Sequence, residues 1–315
     1  MYKRQDEKDF AEVKKLSIAQ LKEDMAQTHS QAWNKLLEKL YKPGYVYHSP
    51  TFDEQIKEVE VTTIEDLKEH HKRFYNPANT VISLVGDFDS EKTEKFIRET
   101  FDKWQKGEGS QVKMTDEGLT GLGATRLTTN LPDKNNVDIV LARPVPVSVK
   151  SKDYLPTLIG NAILGYDSFA CRLAPVRDRY GLTYSIYSRI VDPEYAFSPW
   201  AIELSVNPEN IDKSLKIVRS IVADYTAKGI TKAEFEKEKS HLAGAFQVGL
   251  RSPRALAKKI SEYEQLTIPM TNLDNLAERL AKVELADVNK AIKDYFALDK
   301  ASLSIASNLE KQTHD

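Results

Sequence analysis

The feature that most constrains this fold is an internal repeat. Residues 63–87, TIEDLKEHHKRFYNPANTVISLVGD, align without a gap with residues 284–308, ELADVNKAIKDYFALDKASLSIASN, at an offset of 221. In both segments an amphipathic helix pattern is followed by a short turn and an apolar strand pattern. A weaker match upstream, at an offset of 222, pairs Ser30 with Ser252. Self-similarity of this kind predicts two structural units related by duplication.

The two copies are predicted to differ in completeness. The second copy begins near Thr125, directly after a glycine-rich segment, and the equivalent start of the first copy would lie roughly a hundred residues before the chain begins. We therefore expect residues 1–106 to be the C-terminal part of a first domain, 107–124 to be a linker, and 125–310 to be a complete second domain. Missing strands would leave sheet edges unpaired in the first domain, so we expect it to rest on a neighbour.

Local patterns predict a mixture of helices and strands. Hydrophobic residues three to four apart indicate helices, and β-branched runs between turn residues indicate strands. Thr62 and Glu65 have the spacing of a capping box, which predicts a helix start at that point. The predicted helices cover residues 9–41 with a break near 28–30, 64–74, 90–104, 152–164, 168–179, 207–229, and further helices from 231 to about 296. The predicted strands cover residues 80–85, 125–131, 137–142, 182–190, 198–206 and 302–306.

Composition and charge exclude several functions. The net charge of −2 and the pI near 6.4 argue against a nucleic-acid-binding protein, which would usually carry a basic excess. No apolar run reaches the ~20 residues that a transmembrane helix needs. Cys171 is the only cysteine, which excludes an internal disulfide and a cysteine-based zinc site, and its apolar neighbours predict a buried thiol. We therefore predict neither a nucleic-acid partner nor a membrane span.

Three features together resemble one peptidase family. They are the duplication, the block DLKEHHKRFYNPANTVISLVGDFD at residues 66–89, and the motif RDRYGLTYS from Arg177 to Ser185. The chain resembles the C-terminal, non-zinc portion of pitrilysin/insulinase-type zinc metallopeptidases, the family that includes the mitochondrial processing peptidase subunits. The resemblance implies an α+β fold of duplicated metallopeptidase-like domains, each an antiparallel sheet packed with helices, with the first copy truncated at its N-terminus. It also implies a cavity in which peptide substrate binds as an extended strand.

The catalytic motif of that family is absent from this sequence. The resemblance implies an H-x-x-E-H helix, whose two histidines bind zinc and whose glutamate activates water, and a further glutamate ligand downstream. No two of the six histidines are four residues apart, and the adjacent His70 and His71 would project about 100° apart on a helix. Glu23 is the nearest counterpart of the downstream ligand, but we expect an exposed helix glutamate there. We predict no catalytic residue, metal ligand or cofactor in this chain, and zinc in a missing or partner half.

Two residues of the RDRYGLTYS motif are candidate substrate-binding residues. In the family an arginine and a tyrosine seven residues later bind the substrate backbone, and the resemblance assigns these roles to Arg177 and Tyr184. A guanidinium and a phenol are donors that suit a carbonyl oxygen gaining negative charge. The alternative is structural: the arginine would complement a helix C-terminus, and the tyrosine would lie on the core face of a strand. Arg179 and Arg189 are interpreted as structural residues.

The sequence leaves two main functions to compare. The first is the C-terminal portion of a zinc-dependent peptidase, which forms the non-catalytic half of a peptide-binding chamber and is inactive alone. Its partners would be a peptide or unfolded polypeptide substrate and a zinc-bearing N-terminal half or partner subunit. The second is a catalytically dead homologue that acts as a scaffold, peptide-binding or interaction subunit. An unrelated carboxylate-based α+β enzyme is disfavoured, because the sequence shows no paired-carboxylate pattern.

Overall fold

The computed structural model describes residues 7–107, 109, 116–121, 123–166 and 171–308 of the chain. The chain divides into two compact units, which we call unit 1 and unit 2. Unit 1 contains Met1–Phe10, Val61–Lys113 and Ser240–Ala281, and unit 2 contains Ala11–Glu60, Met114–Lys239 and Lys282–Asp315.

Helices make up most of the regular structure of the described residues. They are α1 (Glu7–Met25), α2 (Thr28–Leu40), α3 (Phe52–Val61), α4 (Ile64–Phe74), α5 (Ser90–Phe101), α6 (Tyr154–Asn161), α7 (Pro175–Asp178), α8 (Ile211–Lys228), α9 (Lys232–Gly249), α10 (Pro253–Gln265), α11 (Thr271–Asp274), α12 (Leu276–Ala281) and α13 (Leu285–Tyr295). The strands are β1 (Arg126–Asn130), β2 (Val137–Pro144), β3 (Ile186–Ile190), β4 (Pro199–Val206) and β5 (Ser302–Ser307).

Unit 2 is built on a five-stranded sheet in the order β1–β5–β2–β4–β3. β2 is antiparallel to β4 and β5, and β3 is antiparallel to β4, whereas β1 is parallel to β5 with Arg126 opposite Leu303. The predicted α+β class is confirmed, but the expectation of a purely antiparallel sheet is wrong at this one ladder. The cause is the long connection between β1 and β5, which allows a parallel pair that a short hairpin could not form.

Helices cover both faces of this sheet. On one face, α2 packs its buried Leu36 and Leu40 against a cluster that includes Val140 of β2. On the other face, Trp200 of β4 packs against Phe296, with ring centroids 5.0 Å apart. Burial of one such leucine contributes about 1.5–3 kcal/mol, so these two contacts stabilise the sheet from both sides.

The internal repeat is visible in the bounds of the elements. α4 and α13 have eleven residues each and begin at Ile64 and Leu285, positions that the offset of 221 relates. Capping boxes precede both helices, formed by Thr63 with Asp66 and by Glu284 with Asp287. The predicted capping box at Thr62 and Glu65 is therefore wrong by one residue, because the hydroxyl of Thr63 is the group that accepts the Asp66 amide (3.2 Å). For the upstream match, the start of α1 and both bounds of α2 correspond to those of α9 and α10 at an offset of 225 rather than 222.

The predicted strand at residues 80–85 is not formed. Val81, Ser83 and Val85 are half-buried, whereas Ile82 and Leu84 are 47% and 49% exposed. A β-strand needs a ladder of backbone hydrogen bonds to a neighbour, and the described residues provide none for this segment. The segment therefore has the residue pattern of a β-strand but no neighbouring strand among the described residues.

Several predicted elements are shorter than the sequence suggested. The helix predicted at residues 152–164 ends at Asn161 and continues as a π-helical turn, Ala162–Tyr166. Of the helix predicted at 168–179, Pro175–Asp178 is helical, and residues 167–170 lie outside the described residues. The strand predicted at 182–190 begins only at Ile186. The remaining predicted strands, in unit 2, are confirmed.

Each compact unit contains helices from both copies of the repeat. α2 belongs to the first copy, yet it packs on β1, β2 and β5 of the second. α10 belongs to the second copy and lies in unit 1, where Ser261 donates to Ser83 at 2.8 Å. The compact units therefore combine parts from either side of the predicted linker. The predicted domain bounds stay a prediction, and residues 108, 110–115 and 122 of the linker lie outside the described residues.

Candidate substrate-binding site

Arg177 lies in α7, and Tyr184 follows it in the tightly turned segment that connects α7 to β3. The buried side chains of Val176 and Leu182 anchor this segment, and the Leu182 amide donates to the Val176 carbonyl (3.1 Å). Gly181 permits the turn, because its φ of +61° lies in the left-handed region that glycine adopts without strain. The Gly181 amide donates to the Arg177 carbonyl (2.9 Å). The chain therefore reverses between the two candidate residues.

Tyr184 projects into solvent. Its side chain is 93% exposed, the highest value among the exposed large apolar and aromatic side chains of the described residues. The preceding Thr183 fixes the backbone, since its hydroxyl lies 2.7 Å from the carbonyl oxygens of Ser185 and Ser205. Because β3 begins at Ile186, Tyr184 precedes the sheet instead of lying in its core face. The interpretation of Tyr184 as a core tyrosine is wrong.

Arg177 carries a positive charge that is oriented by its neighbour. Its Nε donates to Oδ1 of Asp178 at 2.6 Å, and its side chain is 20% exposed. This hydrogen bond is the largest cause of the raised pKa of Arg177, and Cys171 and Tyr184 add smaller electrostatic contributions. The same hydrogen bond lowers the pKa of Asp178.

The other arginines of the motif region have structural partners. The guanidinium of Arg179 lies over the ring of Tyr180, 5.4 Å from its centroid. Arg189 forms an ion pair with the buried carboxylate of Glu203. A cation over an exposed ring contributes only about 0.5–1 kcal/mol, so the Arg179 contact is a modest structural one. These contacts agree with the interpretation of Arg179 and Arg189 as structural residues.

The described residues contain no set of ligands that fits a zinc ion. No group of three or more His, Cys, Asp or Glu side chains within them is placed to hold a metal. His70 and His71 are exposed and pack on the rings of Phe74 and Tyr75, with centroids 4.8 and 4.9 Å apart. Glu23 is an exposed residue of α1. No hydrolytic step is therefore assigned to these side chains.

The thiol of Cys171 differs from its prediction. Its exposure is intermediate, so the side chain is not fully buried. The apolar neighbours in the sequence did not predict that this residue lies in a turn, where it is close enough to Arg177 to affect its pKa.

Sequence reasoning missed a buried carboxylate on the α2 face of the sheet. Glu203 of β4 is 5% exposed and accepts a hydrogen bond from Trp33 Nε1 at 2.8 Å. His29 Nε2 lies 3.1 Å from the same carboxylate, and Arg189 pairs with it. The available signal was an acidic residue inside the apolar run WAIELSV. Strand alternation places it on the same face as Ala201, and that face is buried at Ala201 because α2 covers it.

A second buried carboxylate, Asp138 of β2, lies on the same face. It is 5% exposed and accepts hydrogen bonds from the Thr28 hydroxyl at 2.5 Å and the Asn136 amide at 3.0 Å. Ser205 of β4 also donates to it. Thr28 is the first residue of α2, so Asp138 and Glu203 together attach the first two turns of this helix to the sheet.

Fold and site together define a peptidase-like α+β domain whose described part lacks a metal centre. A sequence profile of the family described as "Peptidase M16 inactive domain" matches residues 62–242. The chain therefore belongs to the peptidase M16 family, and the resemblance to the pitrilysin/insulinase-type peptidases is confirmed.

Relatives and a solved structure agree with this assignment. The chain is 22% identical over 256 residues to an uncharacterized zinc protease of Streptomyces coelicolor. It is also 22% identical over 251 residues to the non-peptidase homolog YmxG of Helicobacter pylori. These matches cover 80% and 79% of this chain but 55% and 56% of the relatives, so the chain spans little more than half their length. The crystal structure of a peptidase M16 inactive domain from Pseudomonas fluorescens superimposes with a TM-score of 0.85 at 23% identity, covering 96% of this chain and 71% of that one.

None of the described helices is long and apolar enough to cross a membrane.

Proposed function

We propose that this chain forms the non-catalytic half of the peptide-binding chamber of an M16 zinc peptidase, with Arg177 and Tyr184 as substrate-binding residues. The observation that carries the proposal is the 93% exposure of Tyr184 on the anchored turn that follows Arg177. A tyrosine in solvent on an anchored turn contributes little to the core. Its position therefore favours a role in binding.

The chemistry of the two side chains suits a peptide backbone. The guanidinium is a permanent cation with several N–H donors, and the phenol is a donor on a rigid ring. A carbonyl oxygen under attack gains negative charge, and donors that bind it more strongly in the transition state raise the rate. The substrate class is an extended peptide or an unfolded polypeptide. Water activation belongs to a zinc-bearing N-terminal half or partner subunit, since the described residues have no ligand set for zinc.

Paired substitutions in the assembled peptidase test this assignment. Tyr184→Phe removes one hydroxyl, and Arg177→Gln removes one charge. We expect each to lower kcat/KM for a peptide substrate roughly 100-fold, the usual effect of losing one oxyanion donor. Peptide hydrolysis by this chain combined with the zinc-bearing half provides the measurement.

The same motif offers matched controls. Tyr180→Phe and Arg179→Gln make identical chemical changes at the pair of side chains that stack on each other. We expect activity within about twofold of the unmodified protein for both. Equal activity of all four variants would contradict the assignment of Arg177 and Tyr184.

A second candidate function is a catalytically inactive homologue that acts as a scaffold, peptide-binding or interaction subunit. The lack of a ligand set in the described residues favours it, as does the name of the Helicobacter relative, a non-peptidase homolog. In that case the assembled protein binds unfolded polypeptide without cleaving it. Cleavage by the assembled protein, measured directly, separates the two candidates.

A further inference from the structure

A small pocket lies beside β3, the edge strand of the unit 2 sheet. It has a volume of about 170 Å³, and its lining consists of Tyr166, Tyr187, Ser188, Arg189 and Glu203. Neither residue of the candidate substrate-binding site belongs to this lining. The pocket is therefore a separate feature of unit 2.

The register of β3 and β4 brings three of the lining side chains together. Tyr187 lies directly opposite Glu203 in the ladder, and side chains at opposite positions share a face with Cβ atoms about 4.5–5.5 Å apart. Arg189 lies on the same face, because strand side chains alternate, and it pairs with Glu203. Since α2 packs mainly on β1, β2 and β5, this end of the face lies beyond the helix. Tyr187 and Arg189 therefore remain partly exposed.

The π-helical turn Ala162–Tyr166 supplies the remaining side of the pocket. A Cβ added to Gly165 would lie 3.1 Å from the Ser188 amide nitrogen. The buried Asn161, just before the turn, donates to the Ser188 carbonyl at 3.0 Å. These contacts hold the turn against β3 and place the exposed ring of Tyr166 beside the pocket. Because the turn already occupies the outer edge of β3 at Ser188, the pocket is suited to a side chain and not to an added strand.

The volume limits the ligand to a single side chain. Sites for drug-sized molecules usually have about 300–1,000 Å³. A cavity of about 150 Å³, in contrast, holds one benzene ring. With about 170 Å³, the pocket has room for one ring and not for a whole small molecule. It therefore matches one residue of a peptide.

The charges at the pocket favour neither sign of ligand. Glu203 already uses both of its carboxylate oxygens. Trp33 Nε1 and His29 Nε2 lie 2.8 and 3.1 Å from Oε2, and Arg189 pairs with Oε1. A cationic side chain would have to displace these donors, and an anionic one would meet a guanidinium whose charge Glu203 offsets. An uncharged side chain is therefore the favoured ligand.

Among uncharged side chains, the lining favours a flat aromatic ring. Tyr166 and Tyr187 contribute two partly exposed phenol rings. Aromatic rings attract one another in stacked or edge-to-face arrangements beyond the effect of buried area alone. The guanidinium of Arg189 adds a cation that can contact the face of a ring. An aliphatic side chain would gain only the burial of its area.

We propose that this pocket, here called the Tyr166–Tyr187 pocket, binds an aromatic side chain of the extended peptide, which makes Tyr166 and Tyr187 specificity-determining residues. Tyr187 follows Tyr184 by three positions, so their Cα atoms are at most about 11 Å apart. An extended peptide that contacts Tyr184 therefore reaches the pocket within about three or four of its own residues. The inference rests on the proposed function, since it names a side chain of the peptide that Arg177 and Tyr184 would bind.

Fluorescence anisotropy with matched peptides tests the pocket. The probes are short, labelled alanine–serine peptides in which one residue is Phe, Ala, Glu or Lys, and this residue is moved along the peptide to sample each register. They are titrated against this chain combined with the zinc-bearing half, after chelation of zinc so that no peptide is cleaved. We expect the Phe peptide in its best register to bind roughly tenfold more tightly than the Ala peptide. The Glu and Lys peptides should bind within about twofold of the Ala peptide.

Substitutions link this preference to the pocket. Tyr187→Ala should weaken binding of the Phe peptide about tenfold and change binding of the Ala peptide by less than about twofold. Tyr166→Ala should act in the same direction, and its 66% exposure makes it the variant with less effect on folding. Tyr180→Ala is the matched control, because Tyr180 is 39% exposed, close to the 40% of Tyr187, and does not line the pocket. Circular dichroism verifies that each variant is folded.

Three results would overturn the inference. The first is equal affinity for the Phe and Ala peptides, or binding of neither, in every register. The second is an aromatic preference that both Tyr187→Ala and Tyr166→Ala leave intact. The third is tighter binding of the Glu or Lys peptide than of the Phe peptide, which would assign the pocket to a charged side chain.

The two proposals can fail separately, because the proposed function is read from kcat/KM of the Arg177 and Tyr184 variants. If Tyr187→Ala removes the aromatic preference while those variants keep full activity, only the roles of Arg177 and Tyr184 are contradicted. If those variants lose activity while Tyr187→Ala leaves the preference unchanged, only the Tyr166–Tyr187 pocket is contradicted.

Discussion

At the scale of single residues, buried charge is the most demanding feature of this protein. A carboxylate that leaves water loses its hydration, and it remains charged only where donors replace that hydration. Glu203 has such donors in Trp33, His29 and Arg189. Arg189 and His29 stay about half exposed, so the network connects the sheet to solvent on the α2 side.

Removal of this carboxylate should destabilise unit 2. We expect Glu203→Ala to lower the free energy of unfolding by about 2–3 kcal/mol, because it leaves Trp33 Nε1 and the Arg189 guanidinium without their acceptor. Urea denaturation followed by circular dichroism measures the change. Glu236→Ala, at an exposed position of α9, is the control and should change the free energy by less than about 0.5 kcal/mol. Equal stability of both variants would show that the network contributes nothing.

At the candidate site, the sequence predicted some features and missed others. The motif RDRYGLTYS was recognisable in the sequence, and Gly181 has the backbone conformation that a tight turn needs. The exposure of Tyr184 was not readable, because it depends on where β3 begins. A strand that began two residues earlier would have placed Tyr184 within the sheet. Glu203 and Asp138 were missed because a charged residue in an apolar run gives no indication of partners such as Trp33, Thr28 and Ser205, which lie 67 to 170 positions away.

At the scale of elements, the sequence predicted where helices occur better than it predicted the residues at which they end. Amphipathic spacing located α4, α5 and α13 closely, since capping and periodicity are local properties. The π-helical turn after α6 was not predicted. It approaches β3 so closely that a Cβ on Gly165 would lie 3.1 Å from the Ser188 amide. That contact is non-local, and no spacing rule detects it.

The contact between α6 and α13 depends on a glycine. A Cβ at Gly160 would lie 2.9 Å from Cγ1 of Ile292 and 3.0 Å from the ring of Phe296. We expect Gly160→Ala to lower the free energy of unfolding by about 1–3 kcal/mol through overpacking, although alanine is the better helix former.

The matched control lies in another helix. Gly244 of α9 has no atom within 4 Å of an added Cβ, so Gly244→Ala should raise stability by up to about 1 kcal/mol. Urea unfolding of both variants gives the comparison. Stabilisation by Gly160→Ala would contradict close packing between α6 and α13.

At the scale of the whole molecule, the two copies of the repeat exchange helices. α2 from the first copy covers the sheet of unit 2, and α10 from the second copy contacts residues 80–85 in unit 1. A chain arranged in this way cannot be cut at the predicted linker without separating α2 from its sheet.

The isolated chain should lack peptidase activity and stoichiometric zinc. The described residues hold no ligand set, and the H-x-x-E-H motif is absent from the sequence. Metal analysis of the purified chain and a peptide-cleavage assay, each with and without added zinc, provide the measurement. One bound zinc per chain together with hydrolysis would contradict both proposed functions.

The sequence by itself determined the duplication, the α+β class, the family and the lack of an H-x-x-E-H motif. These properties are local or periodic, so they can be read from the amino-acid sequence alone. The tertiary structure alone decided which sheet each copy of the repeat stabilises, how far Tyr184 extends into solvent, and why residues 80–85 do not form a strand. Those outcomes depend on contacts between residues that are distant in sequence, because a strand exists only through the ladder that a neighbour completes.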